Sequence, residues 1–539
     1  MITSNTLEHN ITNSTGRETF YLTTAIAYMN GDPHIGHAYE VITSDAIVRL
    51  HRLLGYDTYF ITGADEHGQK VESSALKMNR TPQSHCDEYV NSFIELNKKL
   101  CISNDYYVRT TDECHKKVAQ QLWNMCYKSD DIYMHYHEGW YNIREECFVA
   151  ETEALLTNYK DPGTGQEYTR IKEETYFFRM SKYTERLIAH IDENPTFIEP
   201  ESARRALLSR LREPEGLRDI CISRTAFKWG VPVPEGFDSK HIMYVWFDAL
   251  SNYLTGVDAL NVNNKLSRYW PANKHIIGKD ICWFHGVIWT CMLMSARLPL
   301  YHQLFAHGFV NASDGRKMSK SYNNAVNPTD ILTKYQADTI RYYMISATHY
   351  GSDLNFSEKS LVNMNNSELA DSLGNMVHRI VTLCHKYCGG IVPNCEHDSS
   401  FNMPFDALAM ANEIHILASE CALHTVVFKT MEAVKSINKF ITNAEPWKMK
   451  GVDEVRRAPI VRTMLEALYI IAHYIEPIMP NTADKIFTML NTKPILLFNM
   501  NMDFYNLVPG TKVSIGDILF EKLDCIFKVS QSDFLNKAI

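Results

Sequence analysis

Two short runs in this sequence carry side chains suited to phosphate chemistry. The first is His34-Ile35-Gly36-His37, which follows the turn-forming Asn30-Gly31-Asp32-Pro33 and opens a helical pattern. Imidazoles three residues apart share one helix face. A helix N-terminus offers a phosphate free N–H groups and the positive end of a dipole, and Gly36, lacking a side chain, lets a flat base such as adenine approach the backbone. Alone, the same residues can also simply cap and pack a helix. The second run is Lys317-Met318-Ser319-Lys320-Ser321, preceded by the polar Ser313-Asp314-Gly315-Arg316. Lysines on such a loop can reach the charge that develops on a transferring phosphate, although an isolated basic loop is more often just solvated. Together, and in this order, the two runs point to chemistry on a nucleotide phosphate.

The elements that position them alternate. Phe20 to Ala27 is β-branched and aromatic, which predicts a buried strand. From about His34 the residues Ile35, Ala38, Ile42, Ala46 and Val48 recur mostly at three- or four-residue steps, which predicts a helix. A second strand, Thr58 to Thr62, and a helix from about Gly68 repeat the order. Such alternation predicts a parallel sheet with crossover helices, binding ligands beyond the carboxyl ends of its strands. Between Ala119 and Glu215 the chain turns aromatic and turn-rich, as in EGWYNIREECF, KDPGTGQEYTR and EETYFFRM, which predicts short antiparallel strands inserted between two halves of the sheet. Strand-like segments return at Ile220 to Ser223, Met243 to Trp246 and His275 to Ile277; the last leads through Gly278-Lys279-Asp280 into a helix bearing Phe284 and His285. Beyond Leu361 the pattern is helical, through Leu408 to Ile441 and Val461 to Ile475, with apolar residues on one face. Asp503 to Ile539, with Pro509 and Gly510, is expected to fold back on the body.

With 539 residues, two to four packed units are expected. A net charge of -9 argues against coating nucleic acid by uniform charge neutralisation, so any RNA partner must meet local basic patches. The thirteen cysteines are scattered and unpaired in pattern, as in reduced intracellular thiols. No apolar stretch is long enough for a bilayer; even Leu465 to Pro480 carries Glu466, His473 and Glu476, and it reads as a buried helix. Met1 to Thr19 is rich in Ser, Thr and Asn but has a single Arg and two Glu, unlike a transit peptide. A cytoplasmic protein without a membrane partner is expected, an organellar form staying open.

His34-Ile35-Gly36-His37 and Lys317-Met318-Ser319-Lys320-Ser321 spell HIGH and KMSKS, and with them the chain resembles the class I aminoacyl-tRNA synthetases. The words between them, TGADEHGQK, EGWY, ISRT, YVWFDALSNY, HIIGKD, FHGVIW, AHGF and DGRKMSKS, resemble the methionyl family in its order, from Phe20 to about Trp447. The resemblance implies an α/β fold: a Rossmann-like parallel-sheet catalytic domain with a connective insertion, then an all-α anticodon-binding bundle. The expected organisation is a disordered tail at 1–19, the first catalytic half at 20–118 and the insertion at 119–215. The second catalytic half at 216–310, the KMSKS and stem-contact region at 311–360, the helical domain at 361–500 and a returning segment at 501–539 complete it.

It also implies the activity: methionine and ATP give methionyl-adenylate and pyrophosphate, and methionine then passes to the terminal ribose of tRNA(Met). His34, His37, Lys317 and Lys320 are the implied catalytic residues, and with Gly36, Gly278 and Asp280 they would bind ATP, accompanied by Mg2+. Methionine would lie among Ile26, Tyr28, Trp246, Phe284 and His285, with Asp65 on its ammonium and Tyr244 nearby. That set is chemically sensible, because a polarizable thioether favours aromatic surroundings and an ammonium favours a carboxylate. Arg224 resembles the family's buried arginine beside the site, although a structural ion pair fits it equally well. Asn375, Arg379 and Trp447 would meet the anticodon, Trp447 as a stacking platform.

The sequence departs from the family at the zinc knuckle. Only Cys147 occurs between Trp140 and Arg179, and Asn142 stands where a first cysteine is expected, so no structural zinc is expected. Cys384, Cys388 and Cys395 with His385 have a spacing that suits a helix end better than a metal. Asn323 replaces the glycine usual after KMSKS and is the other residue that tolerates positive φ. The chain runs only a short way past the helices, so a monomer without an appended domain is expected. Rival readings are a class I synthetase for leucine or cysteine, a noncatalytic RNA-binding relative, and a small nucleotidyltransferase. The first lacks here a long editing insertion or pocket zinc ligands, the second has no use for both motifs, and the third leaves the helical region unexplained.

Overall fold

The computed structural model describes residues 16–142, 147–149, 151–214, 216–318, 324 and 326–524. The chain divides into two compact units, one of Met1–Ser44, Asp57–Lys98 and Ile102–Phe309, the other of Asp45–Tyr56, Lys99–Cys101 and Val310–Ile539.

The first unit is built on a seven-stranded sheet. The strand Thr19–Thr24 lies between Asp57–Asp65 and Lys274–Gly278 and pairs with both in parallel, so the two halves of the sheet meet along it. Gln303–His307 and then Ile198–Glu199 extend the sheet on one side, and Tyr106–Arg109 pairs with Asp57–Asp65 on the other, again all in parallel. Parallel strands need both faces covered, and the runs TFYLTT and DTYFITGAD supply the apolar side chains for this. Tyr21, Ile61, Trp123, Phe178, Tyr253 and Trp289 belong to one continuous core.

The aromatic insertion forms a separate antiparallel sheet, in the order Cys147–Val149, Ile132–Asn142, Thr169–Phe178, Ile220–Cys221. Position 119 falls inside the helix Glu113–Lys128, and the helices Thr184–Glu193 and Glu201–Leu211 follow the strands. Two of the expected strands lie elsewhere than in the nucleotide sheet. Ile220–Cys221 joins the insertion sheet, whereas Ser223–Arg224 pairs only with Ile242–Met243. Trp246 is helical, in Val245–Leu250, because Tyr244 caps that helix and accepts the Asp248 N–H. The composition of YVWF suits a strand, but packing overrides it.

The second unit is largely helical, with Asn375–Cys388, Ala407–Ser419, Leu423–Ala444, Arg457–Ile475 and Pro480–Met489. The run Leu408 to Ile441 is two helices, broken where Cys421 takes φ 55°. From Ile460 onward Arg457–Ile475 is buried on all sides. Inside it Glu466 pairs with Arg462 and accepts the backbone N–H groups of Asn506 and Leu507, which ties the returning segment down. Further along, Gly510 N–H donates to Val392 O and Val513 N–H to Gly390 O. Arg341 is fully buried; it pairs with the Asp45 carboxylate at 2.7 Å and donates to the carbonyls of Leu100, Pro477 and Ile478. Among the described residues, no helix is long and apolar enough to cross a membrane.

Candidate active site

The HIGH run sits where the sequence puts it, after the strand Ala27–Tyr28, with Ile35, Gly36 and His37 opening the helix Ile35–Leu54. The two imidazoles stack with centroids 3.6 Å apart at 19°. Each Nδ1 accepts a backbone N–H: His34 from Gly36 at 3.1 Å, His37 from His34 at 3.2 Å. An imidazole that accepts at Nδ1 while neutral carries its proton on Nε2, so in that form each ring presents an N–H donor there. Burial, and the second ring stacked upon it, hold His37 well below the ordinary histidine pKa. A Cβ on Gly36 would stand 3.0 Å from His34 Cε1, so the glycine leaves room for the stack.

One turn further, Glu40 meets His307, Oε2 to Nε2 at 2.9 Å. Burial alone would lower His307; the Glu40 carboxylate outweighs it and raises the pKa. The AHGF word contains His307, but nothing in its spacing marked Glu40 as its partner. Gly278 ends the strand Lys274–Gly278, and a Cβ there would lie 2.8 Å from Asp280 Oδ1, which leaves the exposed Asp280 carboxylate its place.

The remaining expected site residues fall into two groups. In the first, pairing with Asp57–Asp65 runs Thr23↔Ile61 and resumes at Ala27↔Ala64, one residue longer on the first side. This bulge holds Ile26, while Ala25 N–H donates to Ile276 O on the opposite neighbour. Bulges near strand ends re-aim side chains. Tyr28 lies directly across from Asp65, and Lys70 Nζ sits 5.3 Å over the Tyr28 ring. Gly63 admits no side chain, since a Cβ would be 2.3 Å from Val108 O and 3.0 Å from Ile26 Cγ2.

In the second group, Trp246 and Phe284 stack at 3.8 Å and 8°, and His285 stands edge-on to Trp246 at 6.2 Å. His285 Nδ1 lies 3.0 Å from Ile281 O and Nε2 2.7 Å from the Tyr253 hydroxyl. This fits an Nδ1–H donor with Nε2 accepting from the tyrosine. Burial pushes its pKa down to about 4, so the ring is neutral at pH 7. Tyr244 carries the buried Arg224 guanidinium over its ring at 4.7 Å, and Tyr141 holds it at 5.3 Å. The sequence left open an ion pair for Arg224; its contacts include these rings and the Ser223 carbonyl, to which it donates at 2.8 Å. Sequence reasoning missed Tyr253, which lies inside the quoted word YVWFDALSNY.

In the second unit, Lys317 is exposed and pairs back to Asn311 across a turn in which Gly315 takes φ 81°. Lys320, Ser319, Ser321 and Asn323 lie outside the described residues. Asn375 and Arg379 are one turn apart on the helix Asn375–Cys388, and the Arg379 guanidinium lies 5.7 Å over the half-exposed Trp447 ring. Asn142, at the position expected of a first zinc cysteine, donates to Asp161 Oδ2 at 2.9 Å, and Asp161 Oδ1 accepts from Gly163 and Thr164. Among the described residues, no three His, Cys, Asp or Glu side chains are grouped to hold a metal.

The family described as tRNA synthetases class I (M) matches residues 20–157 and 155–381, and the anticodon binding domain of methionyl tRNA ligase matches 423–528. A methionine–tRNA ligase of Brucella suis is 40% identical over 483 residues, 88% of this chain and 92% of that one. One from Clostridium perfringens is 37% identical over 527 residues, covering 97% and 81%. The structure of Mycobacterium tuberculosis methionyl-tRNA synthetase in complex with methionyl-adenylate superposes with a TM-score of 0.87 at 37% identity, covering 93% of this chain and 99% of that one.

Proposed function

Because this chain belongs to the methionine–tRNA ligases of class I, and so activates methionine with ATP and charges tRNA with it, we propose the following division of labour among its residues. Methionine carboxylate attacks the α-phosphate of ATP in line and pyrophosphate leaves. The terminal ribose hydroxyl of tRNA(Met) then takes the methionyl group from the adenylate. Neither step needs a protein nucleophile, so the chain contributes position and charge stabilisation.

His34 and His37 donate Nε2–H to the phosphates. The observation that carries this is the pair of backbone N–H groups held by the two Nδ1 atoms. Lys317 and Lys320 add positive charge from the KMSKS loop, and Gly36, Gly278 and Asp280 leave room for and orient the nucleotide. Mg2+ would accompany ATP and offset phosphate charge, and the exposed Asp280 carboxylate is an oxygen donor of the kind that ion takes. The methionine thioether packs among Ile26, Tyr28, Trp246, Phe284 and His285, its ammonium meets Asp65, and Tyr244 backs the pocket with Arg224 stacked upon it. A neutral, doubly hydrogen-bonded His285 suits an uncharged thioether. Trp447, with Arg379 above it, offers a stacking platform to an anticodon base, and Asn375 a polar edge contact.

No structural zinc is proposed, in keeping with the Asn142–Asp161 hydrogen bond and the turn it braces. A cytoplasmic monomer is the reading for the whole protein. The test is exchange of labelled pyrophosphate into ATP, with Mg2+ and each of the twenty amino acids in turn. Exchange with methionine alone supports the pocket reading; exchange with another amino acid overturns it.

A further inference from the structure

One buried cluster of titratable groups lies outside the residues given a role above. The Asp248 carboxylate, 1% exposed, is held between two imidazoles: Oδ2 is 2.6 Å from His67 Nδ1 and Oδ1 is 2.7 Å from His115 Nε2. The far nitrogen of His115 meets the Thr255 hydroxyl at 3.0 Å. Burial works against ionisation of Asp248, but the two imidazoles outweigh it and hold the carboxyl at about 2.

Three separate elements meet here. His67 lies two residues beyond Asp65, in the loop between the strand Asp57–Asp65 and the helix Gln69–Lys77. Asp248 lies two residues beyond Trp246, in the helix Val245–Leu250. His115 belongs to the helix Glu113–Lys128, part of the core. The loop is pinned further: Arg109 forks onto Glu66 with two bonds of 2.7 Å, and Gly68 N–H donates to Trp229 O. A charge-assisted hydrogen bond in a dry interior is short, directional and costly to break.

We propose that His67, Asp248 and His115 are positioning residues for methionine, a clamp that fixes the separation between the Asp65 carboxylate and the Trp246 ring. The inference rests on the reading that those two side chains hold methionine. The clamp touches neither substrate. It sets the distance between the wall that takes the ammonium and the wall that takes the thioether, and a misplacement of about 1 Å can cost a site up to about 100-fold.

Pyrophosphate exchange on the full-length protein tests it. Asp248→Asn keeps the side-chain volume and removes the charge. His67→Ala removes one donor, while His67→Asn restores an N–H near the position of the lost Nδ1. We expect Asp248→Asn and His67→Ala to raise KM for methionine by about 10- to 100-fold and KM for ATP by less than about twofold, with His67→Asn returning KM for methionine to within about threefold of wild type. If Asp248→Asn does not fold, the two His67 variants decide. An unchanged KM for methionine in folded His67→Ala overturns the clamp. So does a parallel rise for methionine and ATP, which is what a general structural role gives, and so does a failure of His67→Asn to rescue. Wild-type protein that shows no methionine-dependent exchange overturns the pocket reading itself, and the clamp with it.

Discussion

His37→Asn separates the two jobs of that imidazole. In the wild type Nδ1 accepts the His34 N–H at 3.2 Å, and in the proposed mechanism Nε2–H is the donor to the phosphate. Asparagine can place Oδ1 where Nδ1 was, so the loop keeps its hydrogen bond, but nothing replaces the outer donor. Loss of one donor aimed at developing charge typically costs about 10²- to 10³-fold in rate, or about 3 to 4 kcal/mol. His37→Gln does the reverse, with an amide N–H near the reach of Nε2 and no acceptor for the loop, and about tenfold or less should be lost. The readout is single-turnover formation of methionyl-adenylate, with ATP and methionine saturating. Because the ring is held neutral by burial and by His34, its donation should not require protonation. The wild-type rate should therefore show no fall attributable to His37 as pH rises through the ordinary histidine value of 6.5. Equal losses in the Asn and Gln variants would refute the tautomer reasoning. A wild-type rate that declines through that pH, with the decline absent from His37→Asn, would do the same.

Acid should cost the fold stability through His285 and His473, both buried and both pushed by burial from 6.5 to about 4. The folded rings stay neutral while the unfolded chain takes up protons, so stability is full above pH 6.5 and falls towards pH 4. Each ring contributes a loss of about 2 kcal/mol by pH 5, and urea midpoints at pH 7 and 5 should converge less in wild type than in His473→Gln, which cannot take up that proton. Trp447→Ala should weaken tRNA charging by about 1 to 3 kcal/mol, the worth of one stacked base, while leaving pyrophosphate exchange as it was; a loss shared by both reactions would make Trp447 structural. Arg341→Ala removes one of the two guanidiniums paired with the buried Asp45 carboxylate, Arg49 remaining, and leaves three buried carbonyls without their donor, so it should destabilise the second unit by about 1 to 3 kcal/mol, read from its unfolding transition.

Where much of the candidate site falls in the fold could be read in the sequence because its signals are local. HIGH stands at a strand–loop–helix junction that turn residues and periodicity mark on both sides, and Asp65 and Gly278 end strands whose β-branched runs are plain. Trp246 shows where such reading stops: aromatic composition in YVWF suggests a strand, whereas the segment is a capped helical turn. Contacts between distant segments leave still less trace. Asp248 meets His67 and His115 across more than a hundred residues, and an isolated histidine in a helix looks like any other polar position. The Ile26 bulge depends on a register slip between two strands, which no single strand records. Arg379 and Trp447 were singled out only through the family resemblance, since neither has a periodic signature, and their contact with each other left no trace in the sequence.

Arg341 also bears on the order in which the ribosome delivers this protein. Asp45 emerges early and has Arg49, one helical turn on, as its local partner. The second guanidinium arrives roughly 300 residues later, and the carbonyls of Pro477 and Ile478 that complete its shell later still. At about 5 to 20 residues per second, the second unit waits tens of seconds for its last buried donors to be satisfied. Its early segment, Asp45–Tyr56, is therefore held unfinished for most of synthesis, and a fragment begun at Val310 would lack the carboxylate that neutralises Arg341.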